Sequence, residues 1–226
     1  MIIIAIDGPA GSGKSTLARQ LADALGFVYL DTGAMYRALA LLAQRAGISP
    51  TDESALSQLA EQMSLQFQRA NGKQRVLLNG EDVSDAIRRP EIGQLASRIS
   101  VYPAVRRALV AKQRELAQQV HGLVAEGRDT TTVVFPNAAL KIFLTASPEV
   151  RAQRRQAQLR KQGIELPFEE VLREILERDE RDTTRADSPL RQAEDAIRIE
   201  NDHLTKEQTL QRVLQLCAER GIAAKH

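Results

Sequence analysis

The chain has 226 residues, 31 Lys and Arg against 29 Asp and Glu for a formal charge of +2, three His and one Cys. That length suits one well-cored domain carrying an insertion, and the charge is close to balance; the long charged stretch 148–191, with ten positive charges against ten negative, lacks the one-sign excess of a nucleic-acid surface. His121, His203 and His226 are scattered without ligand spacing, which disfavours a histidine metal site or a Ser/His/Asp hydrolase, and the lone Cys217 cannot form an internal disulfide, as fits a reducing cytoplasmic setting.

Ile2 to Ile6 is continuously apolar, the pattern of a central parallel strand covered on both faces. Because the chain enters this strand at once, a cleavable leader is not expected. No apolar run approaches the roughly 20 residues of a membrane span, so a soluble cytoplasmic protein is expected. The strand runs into Gly8-Pro9-Ala10-Gly11-Ser12-Gly13-Lys14-Ser15-Thr16, which reads G-x-x-x-x-G-K-S, a phosphate loop. Glycines let successive backbone N–H groups turn around a polyphosphate, and the following helix points its positive end at the same anion. Lys14 adds a mobile charge for the outer phosphates, and Ser15 a hydroxyl suited to magnesium. Leu17, Leu21, Ala24 and Leu25 then share a helical face that stops at Gly26. A second strand, Phe27 to Leu30, leads into Asp31-Thr32-Gly33, with Thr32 as the expected helix cap, and a helix runs from Ala34 to Ala46. Strand, helix, strand, helix implies parallel strands joined by right-handed crossovers.

The middle breaks this rhythm. After a helical stretch from Asp52 to Met63, the segment from Ser64 to Ile87 reads as a small antiparallel insertion, with turn signals at Asn71-Gly72 and Asn79-Gly80. Pro90 and Pro103 each open a helix, to Ser100 and Gln119. Strand patterns resume at Gly122 to Glu126, Ala139 to Thr145 and Ala196 to Glu200, which makes a doubly wound, five-stranded parallel α/β sheet. Between the last two strands, residues 148–191 hold ten positive and ten negative charges, read as two helices with solvated faces interrupted near Gly163 to Pro167.

Four clusters beyond the phosphate loop carry candidate chemistry. Asp31 to Arg37 follows a strand at its C-terminal end, where such sheets bind ligands, and places Tyr36 and Arg37 early in a helix. Ser97 and Arg106 flank Pro103. Glu126-Gly127-Arg128-Asp129 again follows a strand, and charges there need partners. Arg178, Arg181 and Arg185, spaced i, i+3, i+7, are expected on one helix face beside Asp182.

In order along the chain, the phosphate loop, Asp31-Thr32-Gly33-Ala34-Met35-Tyr36-Arg37, Val105-Arg106, Gly127-Arg128-Asp129 with Thr132-Val133-Val134-Phe135-Pro136, and Arg178-Asp179-Glu180-Arg181-Asp182-Thr183-Thr184-Arg185 resemble the bacterial cytidylate kinase family. The resemblance implies transfer of the γ-phosphoryl group of ATP to CMP or dCMP with Mg2+, by a monomer that binds neither nucleic acid nor membrane. It assigns Gly8 to Thr16 to ATP; Thr32, Tyr36, Arg37 and Arg128 to the acceptor phosphate; Ser97, Arg106 and Asp129 to cytosine; and Arg178, Asp182 and Arg185 to ribose, base and transferring phosphates. Lys14, Arg128, Arg178, Arg181 and Arg185 would be catalytic. It implies a core of residues 1–35, 103–147 and 190–226, a monophosphate-binding region of 36–102 with the β insertion, and a lid of 148–187. Ser15 would hold magnesium, with Asp7, Glu126 or Asp129 as second ligand, directly or through water, and the loop from Glu200 to His203 is where donor-base contacts are sought.

Where the family pattern has Gly, this chain has Thr131. A positive φ there would strain the β-branched residue and displace the loop carrying Asp129. A phosphate acceptor, with a second pKa of about 6, needs no strong base, which matches a chain without a His in place for one. The rivals are another phosphate-loop kinase, for a different monophosphate or a small hydroxyl acid, and a nucleotide switch. The switch would want a guanine-reading Asn/Thr-Lys-x-Asp motif, a shikimate-type kinase would lack the insertion, and both leave the Arg-bearing clusters unexplained.

Overall fold

The computed structural model describes residues 1–70 and 73–223. In chain order the elements are β1 (Ile2–Asp7), α1 (Lys14–Leu25), β2 (Val28–Asp31), α2 (Thr32–Arg45), α3 (Glu53–Gln62), β3 (Leu65–Ala70), β4 (Lys73–Leu78) and β5 (Glu81–Asp82). There follow a 3-10 turn at Ala86–Arg88, α4 (Pro90–Ile99), α5 (Pro103–Gln118), β6 (Gly122–Gly127), a π-helical turn at Thr130–Val134, β7 (Leu140–Thr145), α6 (Pro148–Lys161), α7 (Phe168–Thr184), β8 (Ile197–Glu200) and α8 (Lys206–Glu219). They form two compact units, residues 1–29 with 118–226, and residues 30–117.

The first unit is built on a five-stranded parallel sheet in the order β2-β6-β1-β7-β8. Its middle strands are the apolar runs the sequence marks: Ile4 and Ile6 of β1 are completely buried and pack with Leu17 and Leu21 of α1, Val124 of β6, Ile142 and Leu144 of β7, and Val213 and Leu216 of α8. Each such side chain contributes about 1.5–3 kcal/mol by leaving water. The pairing of β1 with β6 sets up the site, because Ile2 lies opposite Gly122 and Asp7 opposite Gly127. Both strands therefore end level, and the chain leaves them side by side. Ser147 caps α6 by accepting from Val150 N, with Pro148 in the first turn, and α6 packs on α7 through Ala152, Leu159, Val171 and Ile175.

In the second unit β3, β4 and β5 form the antiparallel sheet of the insertion, with Phe67 opposite Val76 and Leu77 opposite Asp82. Asn79 and Gly80 both take positive φ, 50° and 88°, as the two-residue hairpin turn between β4 and β5 requires. The Asn71-Gly72 signal lies outside the described residues. Helix α2 is capped one residue earlier than expected. Thr32 is already helical, and the cap is Asp31, whose side chain accepts from Ala34 N at 2.8 Å. A carboxylate at that position also takes an ion pair with Arg37 Nη2 at 2.7 Å, which a Thr hydroxyl cannot.

Candidate active site

The phosphate loop leaves β1 at Gly8, where a Cβ would run into the Leu144 carbonyl oxygen, and enters α1 through Gly13 at φ 94°. Only glycine serves at either position. Its carbonyls are tied down from outside: Arg151 Nη1 donates to Ala10 O at 3.0 Å and Asn201 Nδ2 to Ser12 O at 2.9 Å. Arg154 in turn holds Asn201, donating to its carbonyl at 2.8 Å and to its side-chain oxygen at 3.0 Å. The loop's shape is thus held by three side chains before any phosphate arrives. Asn201 lies in the stretch searched for donor-base contacts, and here it supports the loop backbone.

Lys14 is 4% exposed and folds back to donate to Pro9 O at 2.8 Å. Burial, with Arg128 and Arg178 nearby, pushes its ammonium down to about 7 against the pull of Glu126 and Asp7. Below that pH the charge is present in folded and unfolded chains alike. Between about 7 and the ordinary 10.5 the unfolded chain keeps the proton that the folded chain sheds, so this group makes stability rise with pH across the window. A bound polyphosphate reverses the bias. ADP binding at pH 8 is expected to take up protons, measured by calorimetry in buffers of different ionisation enthalpy; binding without uptake would mean the ammonium is already charged in the free protein.

Ser15 Oγ, on the exposed rim of the loop, donates to Glu126 Oε1 at 2.6 Å, and Tyr29 Oη donates to the same oxygen at 3.2 Å. Of the expected magnesium partners, Asp7 does not fit. Both of its oxygens are occupied by Thr130 and Thr131, each residue donating through its backbone N–H and its hydroxyl. Burial, with Asp129 nearby, pushes the Asp7 carboxyl up against the hydrogen bonds from Thr130 and Thr131. Thr131 has no positive φ, so the expected strain is absent; it lies in a π-helical turn, Thr130–Val134. Among the described residues no group of three or more His, Cys, Asp or Glu is gathered for a metal.

Past β6, Arg128 Nε donates to Asp182 Oδ2 at 2.9 Å, and Arg185 Nη1 lies 3.9 Å from Oδ1. Burial opposes ionisation of Asp182, yet Arg128, Arg178 and Arg185 together hold its carboxyl below the usual range. Asp129 is buried directly after Arg128. The expected single helical face is only partly realised: α7 ends at Thr184, and Arg185 is extended at φ −60° and ψ 142°. It reaches Asp182 from the following loop, braced by donation from Nε to Ser188 O at 2.7 Å, while Arg178 and the half-buried Arg181 stay on the helix. Arg151 reaches the same helix, its Nη2 2.6 Å from Asp179 Oδ2.

In the second unit the guanidinium of Arg106 lies over the Tyr36 ring, 5.4 Å from its centroid, and donates to Ser100 O at 2.9 Å. Ser100 Oγ donates to Ser97 O at 2.9 Å, so three sequence-marked residues, Tyr36, Ser97 and Arg106, are gathered. Thr32 is buried in the first turn of α2 and Arg37 is paired with Asp31. Sequence reasoning missed Tyr29, Thr130, Arg151, Arg154, Asp179 and Asn201. Each acts through a partner far along the chain or through backbone; Asp179 lies inside the marked Arg178–Arg185 stretch and Asn201 inside the Glu200–His203 loop, but neither was given this role.

A family model described as cytidylate kinase matches residues 4–219. The chain belongs to the cytidylate kinase family. The cytidylate kinase of Syntrophotalea carbinolica is 49% identical over 219 residues, 97% of this chain and 93% of that one. That of Pseudomonas savastanoi pv. phaseolicola is 51% identical over 223 residues, covering 98% and 97%. A solved structure of an uncharacterized protein from Eubacterium ventriosum, 12% identical, superposes with a TM-score of 0.54 over 96% of this chain and 99% of that one, and shows the fold alone. Membership makes the chain an ATP-dependent nucleoside monophosphate kinase, and the phosphate loop beside an arginine cluster is the chemistry such an enzyme needs.

Proposed function

We propose that the chain transfers the γ-phosphoryl group of ATP to CMP or dCMP through the residues gathered where β1 and β6 end together. The observation that carries this reading is the level ending of those strands, which sets Lys14, the Ser15–Glu126 pair and the Arg128–Asp182 cluster at one sheet edge. The acceptor is itself an anion, so the barrier is charge repulsion and alignment rather than deprotonation. Lys14 and Arg128, with Arg178, Arg181 and Arg185, lower it by neutralising oxygens and holding them in line, and Arg suits a phosphate held through two parallel bonds.

Ser15 and Glu126, two hard oxygens already hydrogen-bonded to each other, would hold Mg2+. When bound it supplies charge neutralisation at the transferring phosphates. Gly8 to Thr16 hold ATP; Thr32, Tyr36, Arg37 and Arg128 hold the acceptor phosphate; and Arg178, Asp182 and Arg185 act at the ribose, base and transferring phosphates. Residues about 36–102 form the monophosphate-binding region and about 148–187 a lid whose closure excludes water. Among the described residues no helix is long and apolar enough to cross a membrane. We read the protein as a cytoplasmic monomer.

Ser97, Arg106 and Asp129 read the base. Asp129 accepts from the cytosine amine while Arg106 donates to the ring acceptors; uracil would set a carbonyl against the carboxylate, a mismatch worth about 100-fold or more. An ADP-release assay with ATP, Mg2+ and each of CMP, dCMP, UMP, AMP and GMP, with shikimate as hydroxyl-acceptor control, tests the substrate class. Turnover led by CMP or dCMP is expected; ATP hydrolysis that no monophosphate accelerates would overturn the acceptor assignment. In the same assay Asp129→Ala is expected to narrow the CMP to UMP preference by at least about tenfold, and an unchanged ratio would remove Asp129 from base reading.

A further inference from the structure

The four bonds on Asp7 join two loops that the mechanism needs in fixed relation. Asp7 immediately precedes Gly8 of the phosphate loop, and Thr130 immediately follows Asp129. Thr130 N and Oγ1 donate to Asp7 Oδ1 at 2.9 and 2.6 Å, and Thr131 N and Oγ1 donate to Oδ2 at 2.7 and 2.6 Å. Asp7 and Thr130 are fully buried and Thr131 is 1% exposed. A carboxylate offers about four lone-pair sites, so two consecutive residues fill it completely. Val133 N and Val134 N both donate to Asp129 O, closing the turn that presents Asp129. The side chain at 131 does not serve the backbone conformation, since no positive φ occurs there. What it adds is the last donor, which a glycine, as in the family pattern, cannot offer.

We propose that Asp7, Thr130 and Thr131 form a positioning knot that holds the Arg128–Asp129 turn against the phosphate loop, with the Thr131 hydroxyl completing it. The knot touches no substrate and acts through the residues on either side of it. It rests on the reading of Arg128 and Asp129 as acceptor-side residues. In this chain Asp7 is spent on the knot, and the metal falls to Ser15 and Glu126.

The test compares Thr131→Val, which keeps the branched shape and removes the hydroxyl, with Thr131→Ser, which keeps the hydroxyl and removes the methyl. Thr131→Val is expected to lower kcat with CMP about tenfold while KM for ATP stays within about twofold, because alignment rather than donor binding is lost. Thr131→Ser is expected to recover kcat to within about twofold of the parent. A Thr131→Val enzyme with parental kcat, or Val and Ser variants that lose kcat equally, would overturn the proposal. Should Thr131→Val fail to fold, Thr131→Gly asks the same question with the residue of the family pattern, and parental kcat there also overturns it. An Asp7→Asn/Thr131→Val double variant is expected to be little worse in kcat than the worse single variant, since groups acting as a unit are not additive; fully multiplicative losses would contradict the knot. A parent protein inactive on every monophosphate would instead defeat the functional assignment, which keeps the two failures distinguishable.

Discussion

Replacing Lys14 by Met is expected to lower kcat by about 10^3-fold, the scale of losing one charged donor at a transferring phosphate. The Met variant should remain folded and be at least as stable as the parent near neutral pH. The expectation follows from how the ammonium is held: it is buried, pushed down to about 7, and bonded to the Pro9 carbonyl. Met fills the same volume with no charge to desolvate, so folding loses nothing large. ATP, however, meets a loop with backbone donors and no mobile cation. Thermal melts at pH 7 and single-turnover kinetics check the two halves together. A variant within about tenfold of the parental kcat would show that the arginines suffice and that Lys14 only binds.

Asp182→Ala is expected to destabilise the protein by about 3–5 kcal/mol, the usual cost of stripping one partner from a buried ion pair. That corresponds to a fall in Tm of roughly 10 °C for a chain of this size. Asp182 faces Arg128 at 2.9 Å and Arg185 at 3.9 Å, all three largely buried. Removing the carboxylate takes away the anion that Arg128 and Arg185 share. The same change frees Arg128 from its anchor, so KM for CMP should rise alongside the loss of stability. A second change separates the causes: Arg128→Met in the Asp182→Ala background is expected to recover part of the lost stability and none of the activity. Differential scanning calorimetry with initial-rate kinetics decides it, and a Tm within about 2 °C of the parent in Asp182→Ala would show that solvent already screens the cluster.

Several parts of the site were legible because their signals are local. The spacing of glycines around Lys14, the helix-starting Pro90 and Pro103, and the Asn79-Gly80 turn each constrain a few adjacent residues and need nothing from the rest of the fold. The cap of α2 went to Asp31 rather than Thr32 because a longer side chain nearby, Arg37, also needed a partner. Arg185 left the expected helical face because α7 stops one residue short of it, and its side chain returned to Asp182 from the loop. Thr131 was expected to be strained if the family's glycine served a backbone need; it is a donor instead, and only its partner 124 residues away explains it.

What the amino-acid order determined by itself was the kind and sequence of elements, the phosphate loop and the set of arginines available to it. Periodicity, chirality and turn chemistry act over a few residues and are written into the order directly. The tertiary structure decided which partner each buried carboxylate meets: Glu126 with Ser15, Asp182 with Arg128, and Asp7 with two threonines. The first and last of these depend on the register of β1 against β6, and register is settled by packing both faces of the sheet at once, an interaction no local stretch contains.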